Sequence, residues 1–445
     1  MKKFKRAAAA VMAAVLSISC IACGNSSAGS RTETPSSVVI ENDGKYEECT
    51  LKISWWGGDS RHDKTLEAIK KFEEKYPGIK VESTYGTWSG WEDSMATMFA
   101  TKTAPDINQI NWNWISSYSS DGSAFMDLNQ VSSILDLSQY SQSALEQCEL
   151  AGKLQAVPVS MTGRIFYWNK TTFDKAGISV PKTLAELKAA GETFKNKLGD
   201  DYYPLALGEY DRMILMVYYL ESVYGKAWVE DGKLQYTEAE IQKGLEFIQS
   251  LEDAHVTPTI KTITGDGADS LDKNPKWMDG KYAGIFEWDS SASKFNKALK
   301  DGQEFVVGDY FTDMGSHKGG YSKVSLGFAI SETCQHPKEA AMLLQFLLNE
   351  DEGTEIMGSE RGVPLSAAAL ANCKAKNMLD ATVAEANSKV LAWVSFPLDP
   401  TFESAALKSS DGVYYDAMAG LSYKEYTAAQ AAQVLVEGIN EELDK

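Results

Sequence analysis

Alternating and helical apolar spacings divide the chain into short elements from residue 49 onward. "LKISWW" is an apolar-rich run closed by Gly57 and Gly58, the pattern of a short strand. Leu66, Ile69, Phe72 and Tyr76 then recur at helical spacing. Ser60 with Asp63 resembles a capping box at the start of that helix, and Pro77 with Gly78 ends it. "IKVESTYG" predicts a second strand, Trp91 to Lys102 a second helix and "APDINQI" a third strand. This rhythm implies a parallel sheet with right-handed crossovers, and so an α/β fold. Farther on, "QAVPVSM" and "RIFYWN" read as paired strands. Helices are expected near 183–197, 210–223, 238–253 and 290–300. "YAGIFEW", "FVVGDYF" and "SLGFAIS" read as strands. Pro337 suits the first turn of a long apolar-faced helix, and mostly helical segments fill 365–445. There is no internal repeat of 20–50 residues.

The first 48 residues follow a different pattern. Lys2, Lys3, Lys5 and Arg6 precede an apolar run, Ala7 to Ile18, too short to span a bilayer. The run ends in "CIACGNSSAGS", which looks like a bacterial lipoprotein signal. Residues 1–22 are then the signal peptide and Cys23 is the lipidated first residue. Cys20 is a second candidate, and an ordinary secretory signal is the alternative. Residues 23–48, rich in Ser, Thr, Pro and Gly, read as a flexible tether. Acyl chains on Cys23 would hold the protein on the outer face of the cytoplasmic membrane.

Composition narrows the possible partners. The chain has 445 residues, 44% hydrophobic and 24% charged, which suits a globular protein of two or three domains. The formal net charge is −19, and losing the four N-terminal cations makes the remainder more acidic still. Such a surface repels nucleic acid. Aromatics reach 11%, with 11 Trp and 20 Tyr, more rings than a core alone requires if some serve recognition. Cys49, Cys148, Cys334 and Cys373 show no CxxC spacing, so free thiols are expected and one disulfide is conceivable. The four His have no metal-ligand spacing with one another, and GxSxG, P-loop and GxGxxG motifs are missing. "GDGAD" at 265–269 is too short for a full calcium loop. The reading is therefore no cofactor, no metal and no enzyme.

Six motifs, in order, carry a resemblance. They are "FEEKYPGIKVE", "APDINQINWNW", "VPVSMTGRIFYWNKTTFDKAGI", "PKTLAELKAAGETFK", "MDGKYAGIFEWD" and "HPKEAAMLLQFLLNEDEGTEIM…RGVPLS". With these the chain, from about residue 50 on, resembles the extracellular solute-binding proteins of carbohydrate ABC importers, the maltose-binding-protein type. The resemblance implies a two-lobed periplasmic-binding-protein-like fold with an interdomain ligand cleft. It places crossings near Val157–Ser160, Gly320–Ser325 and Arg361–Pro364. Residues 49–158 and 325–360 would form lobe I, and 159–324 and 361–445 lobe II. It also implies an oligosaccharide ligand and ABC permease subunits as partners.

Candidate ligand residues follow from strand ends, because ligands of open parallel sheets sit beyond the carboxyl ends of the strands. Adjacent strand residues face opposite ways, so Trp55 is assigned to the core and Trp56 to the cleft. Gly57 and Gly58 allow a tight turn and a close ligand approach. Asp59, Arg61 and His62 offer polar contacts, or else a helix cap and a solvated first turn. Trp88 follows the second strand, whereas Trp91 falls on the helical period of the core. Asn111, Trp112, Asn113 and Trp114 form one short turn of stacking and amide groups, the mix that sugars need. Arg164, Asp211, Trp288, Asp289, Tyr321 and Arg361 complete the set from the other lobe and the crossings. By resemblance, Trp288 is a stacking position. Asp211 as an N-cap and Tyr321 or Arg361 as hinge braces are the competing readings.

The resulting expectation is a surface receptor that hands an oligosaccharide to an importer by lobe closure. "WWGG…RH" with "NWNW" most resembles receptors for plant-polysaccharide fragments, including pectic oligogalacturonides. Arg61, His62, Lys102, Arg164 and Arg361 are candidate partners of uronate carboxylates. Neutral oligosaccharides remain open. A lipid-anchored carbohydrate-active enzyme and a receptor for a non-sugar solute are the two alternatives.

Overall fold

A computed structural model describes residues 39–445 except Ser89 and Asp269. The expectations for residues 1–38, the signal peptide, Cys23 and most of the tether, lie outside the described residues. So does Asp269 of "GDGAD".

The first strands and helices form where the apolar pattern puts them. Strand β1 is Cys49–Trp56, helix α1 Asp59–Lys75, β2 Ile79–Gly86, α2 Trp91–Ala100 and β3 Ile107–Asn111. Both β2 and β3 pair with β1 in parallel. Helix α1 buries Ala68, Ile69 and Phe72, while Leu66 is only half-buried. Its N-cap is Gly58 with no side-chain cap, so the capping box expected at Ser60 does not form. Ser60 instead donates to Glu360.

The pair of strands expected at 155–169 is one strand. β4, Val157–Asn169, runs unbroken for 13 residues and is buried almost throughout. Continuous burial on both faces removes the alternation that would mark a turn, and Gly163 at its middle leaves room for Val390, which a Cβ there would meet at 2.5 Å. Its first half pairs antiparallel with β7, Ser322–Ile330, and its second half with β5, Gly284–Trp288, and β6, Phe305–Val307. β7 also pairs antiparallel with β3, giving the order β6-β4-β7-β3-β1-β2 with β5 on β4. "FVVGDYF" contributes only its first three residues to the sheet.

The molecule is therefore mixed α/β in two lobes. β1–β3 with α1 and α2 build one end of the sheet and β5 and β6 the other, while β4 and β7 serve both. Helix α3, Trp114–Ser119, follows β3. α4 (Leu184–Leu198), α5 (Glu209–Tyr224) and α6 (Glu238–Asp253) cover the far end. α7, Pro337–Asn349, starts with Pro337 at its first turn and packs on the near end. α8 (Ala381–Trp393) lies along β4, and α9 (Val413–Ser422) with α10 (Ala428–Leu443) closes on α5 and α6. No described helix is long and apolar enough to cross a membrane.

Where β7 begins, Gly320 has φ +103°, and a Cβ there would meet the Tyr218 ring at 2.3 Å. Only glycine lets this segment pass so close to α5.

Candidate functional site

A cavity of about 710 Å³ opens at the carboxyl ends of β1, β3 and β5, within the range of small-ligand sites. Trp56, at the end of β1, and Trp88, after β2, form its aromatic wall. Trp88 is 42% exposed and stacks at 6.2 Å on buried Trp114, which also packs on Trp56 at 5.5 Å. Trp55 points the other way and is fully buried under Tyr85. Strand alternation thus places the two tryptophans on opposite sides.

Trp288 faces them from the end of β5. It lies opposite Arg164 in the ladder, and the Arg164 guanidinium sits 4.9 Å from its ring. Lys323 of β7 lies 5.0 Å from the same ring. Two cations against one indole fix the ring's orientation. Both cations carry protein counter-ions. Arg164 pairs with Asp211 and lies 3.8 Å from Glu287, which together raise its already high pKa despite burial. Lys323 pairs with Glu403 at 2.9 Å. Glu403 is buried, yet Lys323 and Lys408 hold its carboxyl well below the usual range.

The cavity floor is different. Arg61 donates from Nε and Nη2 to the Glu360 carbonyl, at 3.0 and 2.8 Å, and from Nη1 to the Trp56 carbonyl at 3.0 Å. Gly57 makes this fold-back possible, since a Cβ there would meet Arg61 Cδ at 2.5 Å. The glycine clears room for the arginine rather than for a ligand. Arg361 is 5% exposed. It donates to Gln109 Oε1 at 2.8 Å and Thr65 Oγ1 at 3.0 Å. Among the described residues neither guanidinium has a carboxylate within 4.0 Å, and Glu360 turns its carboxylate to Ser60. Burial lowers the Arg61 pKa to about 10. Burial and then the charge of Arg61 push Arg361 well below its ordinary value. The charge of Glu360, which lines the same cavity, opposes both shifts without cancelling them.

Polar side chains line the rest. Asn111 closes β3, and Thr162 of β4 faces Ser290, Ser291, Ser293 and Lys297 after β5. Asp289 lies behind Thr162, accepting its hydroxyl and, at 2.6 Å, the Asn387 amide. Burial pushes its carboxyl up to about 6.

Several expected contacts do not reach the cavity. Trp112 and Trp114 are buried, their Nε1 groups donating to the Gln147 carbonyl and Glu92. Asn113 is buried and donates to the Glu403 carbonyl. The chain turns straight from β3 into α3, which points these three into the core and leaves only Asn111 of the turn facing the cavity. His62 accepts from Trp55 Nε1 at 3.0 Å and packs on Tyr85, away from the floor. Asp59 is an exposed first-turn residue of α1. Asp211 anchors Arg164 and, from the third position of α5, accepts the Gly208 amide, so the N-cap is Gly208 and Asp211 only reaches back to it. Arg164 and Asp289 support the wall from behind, and Tyr321 is wholly buried against Tyr218 and Phe402. Ser60, Thr162, the serines at 290–293, Lys297, Lys323 and Glu360 are cavity residues that sequence reasoning missed. The run "DSSAS" after a strand ending in Trp was the available signal for three of them, the serines.

A family description of bacterial extracellular solute-binding proteins matches residues 67–389, more than half of the chain. The chain belongs to that family. This solute-binding protein is similar to the periplasmic oligogalacturonide-binding protein of Yersinia enterocolitica, solved with saturated digalacturonic acid. The two are 33% identical over 89% of this chain and 98% of that one, with a TM-score of 0.82. A periplasmic solute-binding protein from Pectobacterium atrosepticum is 32% identical over 89% of this chain and 99% of its own, with a TM-score of 0.84. An uncharacterized ABC transporter extracellular-binding protein of Pyrococcus horikoshii is 22% identical over 80% of each chain. All three are binding proteins by name, in keeping with a binding rather than a catalytic role for this solute-binding protein.

Proposed function

We propose that this protein captures an oligosaccharide bearing at least one uronate, of the oligogalacturonide class, and delivers it to an ABC importer. The Arg61–Arg361 pair carries the reading. Two cations at the cavity floor with no carboxylate within 4.0 Å among the described residues, and only the more distant Glu360 charge to offset them, are costly, and a ligand carboxylate pairing bidentately with either arginine reduces that cost. Trp56, Trp88 and Trp288 offer faces for sugar C–H groups. Asn111, Thr162 and the serines at 290–293 offer partners for hydroxyls. The oligogalacturonide-binding relative from Yersinia supports the same ligand class.

Lobes divided as 49–158 with 325–360, and 159–324 with 361–445, would close over the ligand. A sugar touching both Trp56 and Trp288 favours the closed state by its differential affinity. Lipidation at Cys23 would keep the receptor beside its permease, and membrane retention lost on Cys23→Ala is its test. For the ligand, purified protein is screened by thermal shift against digalacturonate, longer oligogalacturonides and neutral oligosaccharides. Stabilisation by the uronides alone is expected. Stabilisation by neutral sugars alone would refute the uronate reading.

A further inference from the structure

The geometry points to a transition-metal site, best suited to Zn²⁺, formed by Cys49, His336 and Glu339. It lies at the opposite end of β1 from the cavity: Cys49 begins the strand and Trp56 ends it, which separates them by roughly 23 Å at the strand rise per residue. The site is thus independent of the sugar reading.

The Cys49 Sγ, one His336 ring nitrogen and one Glu339 carboxylate oxygen all lie within 4.8 Å of one another. Their positions are set by the fold. His336 is the N-cap of α7, Pro337 fixes the first turn, and Glu339 follows on the same side of the helix. Glu339 is buried, and its Oε1 accepts the Glu47 amide at 2.8 Å, which holds the carboxylate in place. Its Oε2 has no hydrogen-bond partner among the described residues. The Glu47 carboxylate lies 3.6 Å from His336 Nδ1, the placement of an outer partner that orients a ligating imidazole.

A thiolate, an imidazole and a carboxylate form a zinc donor set, with water in the fourth position. The thiolate disfavours Ca²⁺ and Mg²⁺. Metal–ligand distances of about 2.0–2.3 Å require ligand atoms under about 4 Å apart, so a contraction of about 1 Å by side-chain rotation closes the site. A bound ion would join the first residue of β1 to the start of α7. The entering chain is already held there by the Lys338–Asp43 pair and by the Ile40 amide on the Gln130 carbonyl. The ion therefore acts as a staple where the chain enters the folded body. Sequence spacing could not reveal it, because Cys49 and His336 come from distant segments.

The test is titration of the reduced, chelator-treated full chain with Zn²⁺ by calorimetry and thermal unfolding, with Co²⁺ as the spectroscopic probe. One Zn²⁺ per chain, a rise in Tm and a thiolate-to-cobalt charge-transfer band are expected. Cys49→Ser should abolish the band, and His336→Gln should weaken Zn²⁺ binding at least tenfold. Digalacturonate affinity should be the same with and without Zn²⁺. Unchanged Zn²⁺ affinity in both variants, a Co²⁺ spectrum without the thiolate band, or a Cys49–Cys334 disulfide in the purified chain would overturn the proposal. The cobalt spectrum of the unsubstituted chain decides the matter even if Cys49→Ser does not fold.

Discussion

Two sets of buried cations border the cavity, and they differ in who supplies the negative charge. On the Trp288 side, Arg164 has Asp211 and Glu287, and Lys323 has Glu403. On the floor, among the described residues, Arg61 and Arg361 are held by carbonyl, amide and hydroxyl oxygens and the Met357 sulfur, with the Glu360 charge acting only from beyond 4.0 Å. The first set is complete within the protein and orients an indole. The second lacks such a pair, and under the proposed function a ligand carboxylate supplies it. The same contrast separates residues whose loss should harm the fold from residues whose loss should harm binding.

The largest effect is expected where the protein closed its own circuit. Arg164→Met leaves Asp211 and Glu287 without their cation and should cost about 3–5 kcal/mol of stability, read by chemical denaturation. Arg361→Met should do the reverse. Stability should hold or rise, because an unpaired buried charge is removed, while digalacturonate affinity falls by about 2–4 kcal/mol. If Arg361→Met unfolds the protein and Arg164→Met does not, the contrast between the two sets fails.

Glu221 extends the comparison to an anion. It is buried on α5, and its carboxylate accepts the Gly320 amide at 2.7 Å, where β7 is about to begin. Burial pushes its carboxyl up to about 8. The folded state therefore holds a proton that the unfolded state releases near pH 4.5. Stability should fall as pH rises from about 4.5 through 8, by up to about 5 kcal/mol. Glu221→Gln should flatten that slope in Tm-versus-pH profiles, and an unchanged slope would show that Glu221 is not its source. The smallest change expected is at the wall: Trp288→Ala should weaken sugar binding by about 1–2 kcal/mol through loss of one stacking face, with little selectivity between charged and neutral sugars. A charge-selective loss on Trp288→Ala would move the recognition of the carboxylate from the floor to the wall.

Much of the architecture was legible because local patterns decide it. Helix α1 ends at Pro77–Gly78, α6 spans the expected 238–253, and two-residue alternation separates Trp55 from Trp56. The long β4 was missed because burial on both faces leaves no alternation to count. In "NWNW", composition suited a sugar, but the turn from β3 into α3 buried Trp112, Asn113 and Trp114 and left Asn111 to face the cavity. Arg61 and Arg361 could each be named from sequence. That they share one floor, with Gln109 joining Arg361 to the Trp56 carbonyl, depends on segments about 300 residues apart. Lys323 and Glu360 were missed although their neighbours Tyr321 and Arg361 were named, because the crossings do not say which side chain of each turns to the cavity.

The central claim is that the floor arginines await a ligand carboxylate. Calorimetric titration of the protein and of Arg361→Gln with digalacturonate and with its methyl ester tests this directly. The account predicts that the protein prefers the free acid by roughly 100-fold and that the preference shrinks to a few-fold in Arg361→Gln. Equal affinity for acid and ester, or a preference that survives the substitution, would contradict it.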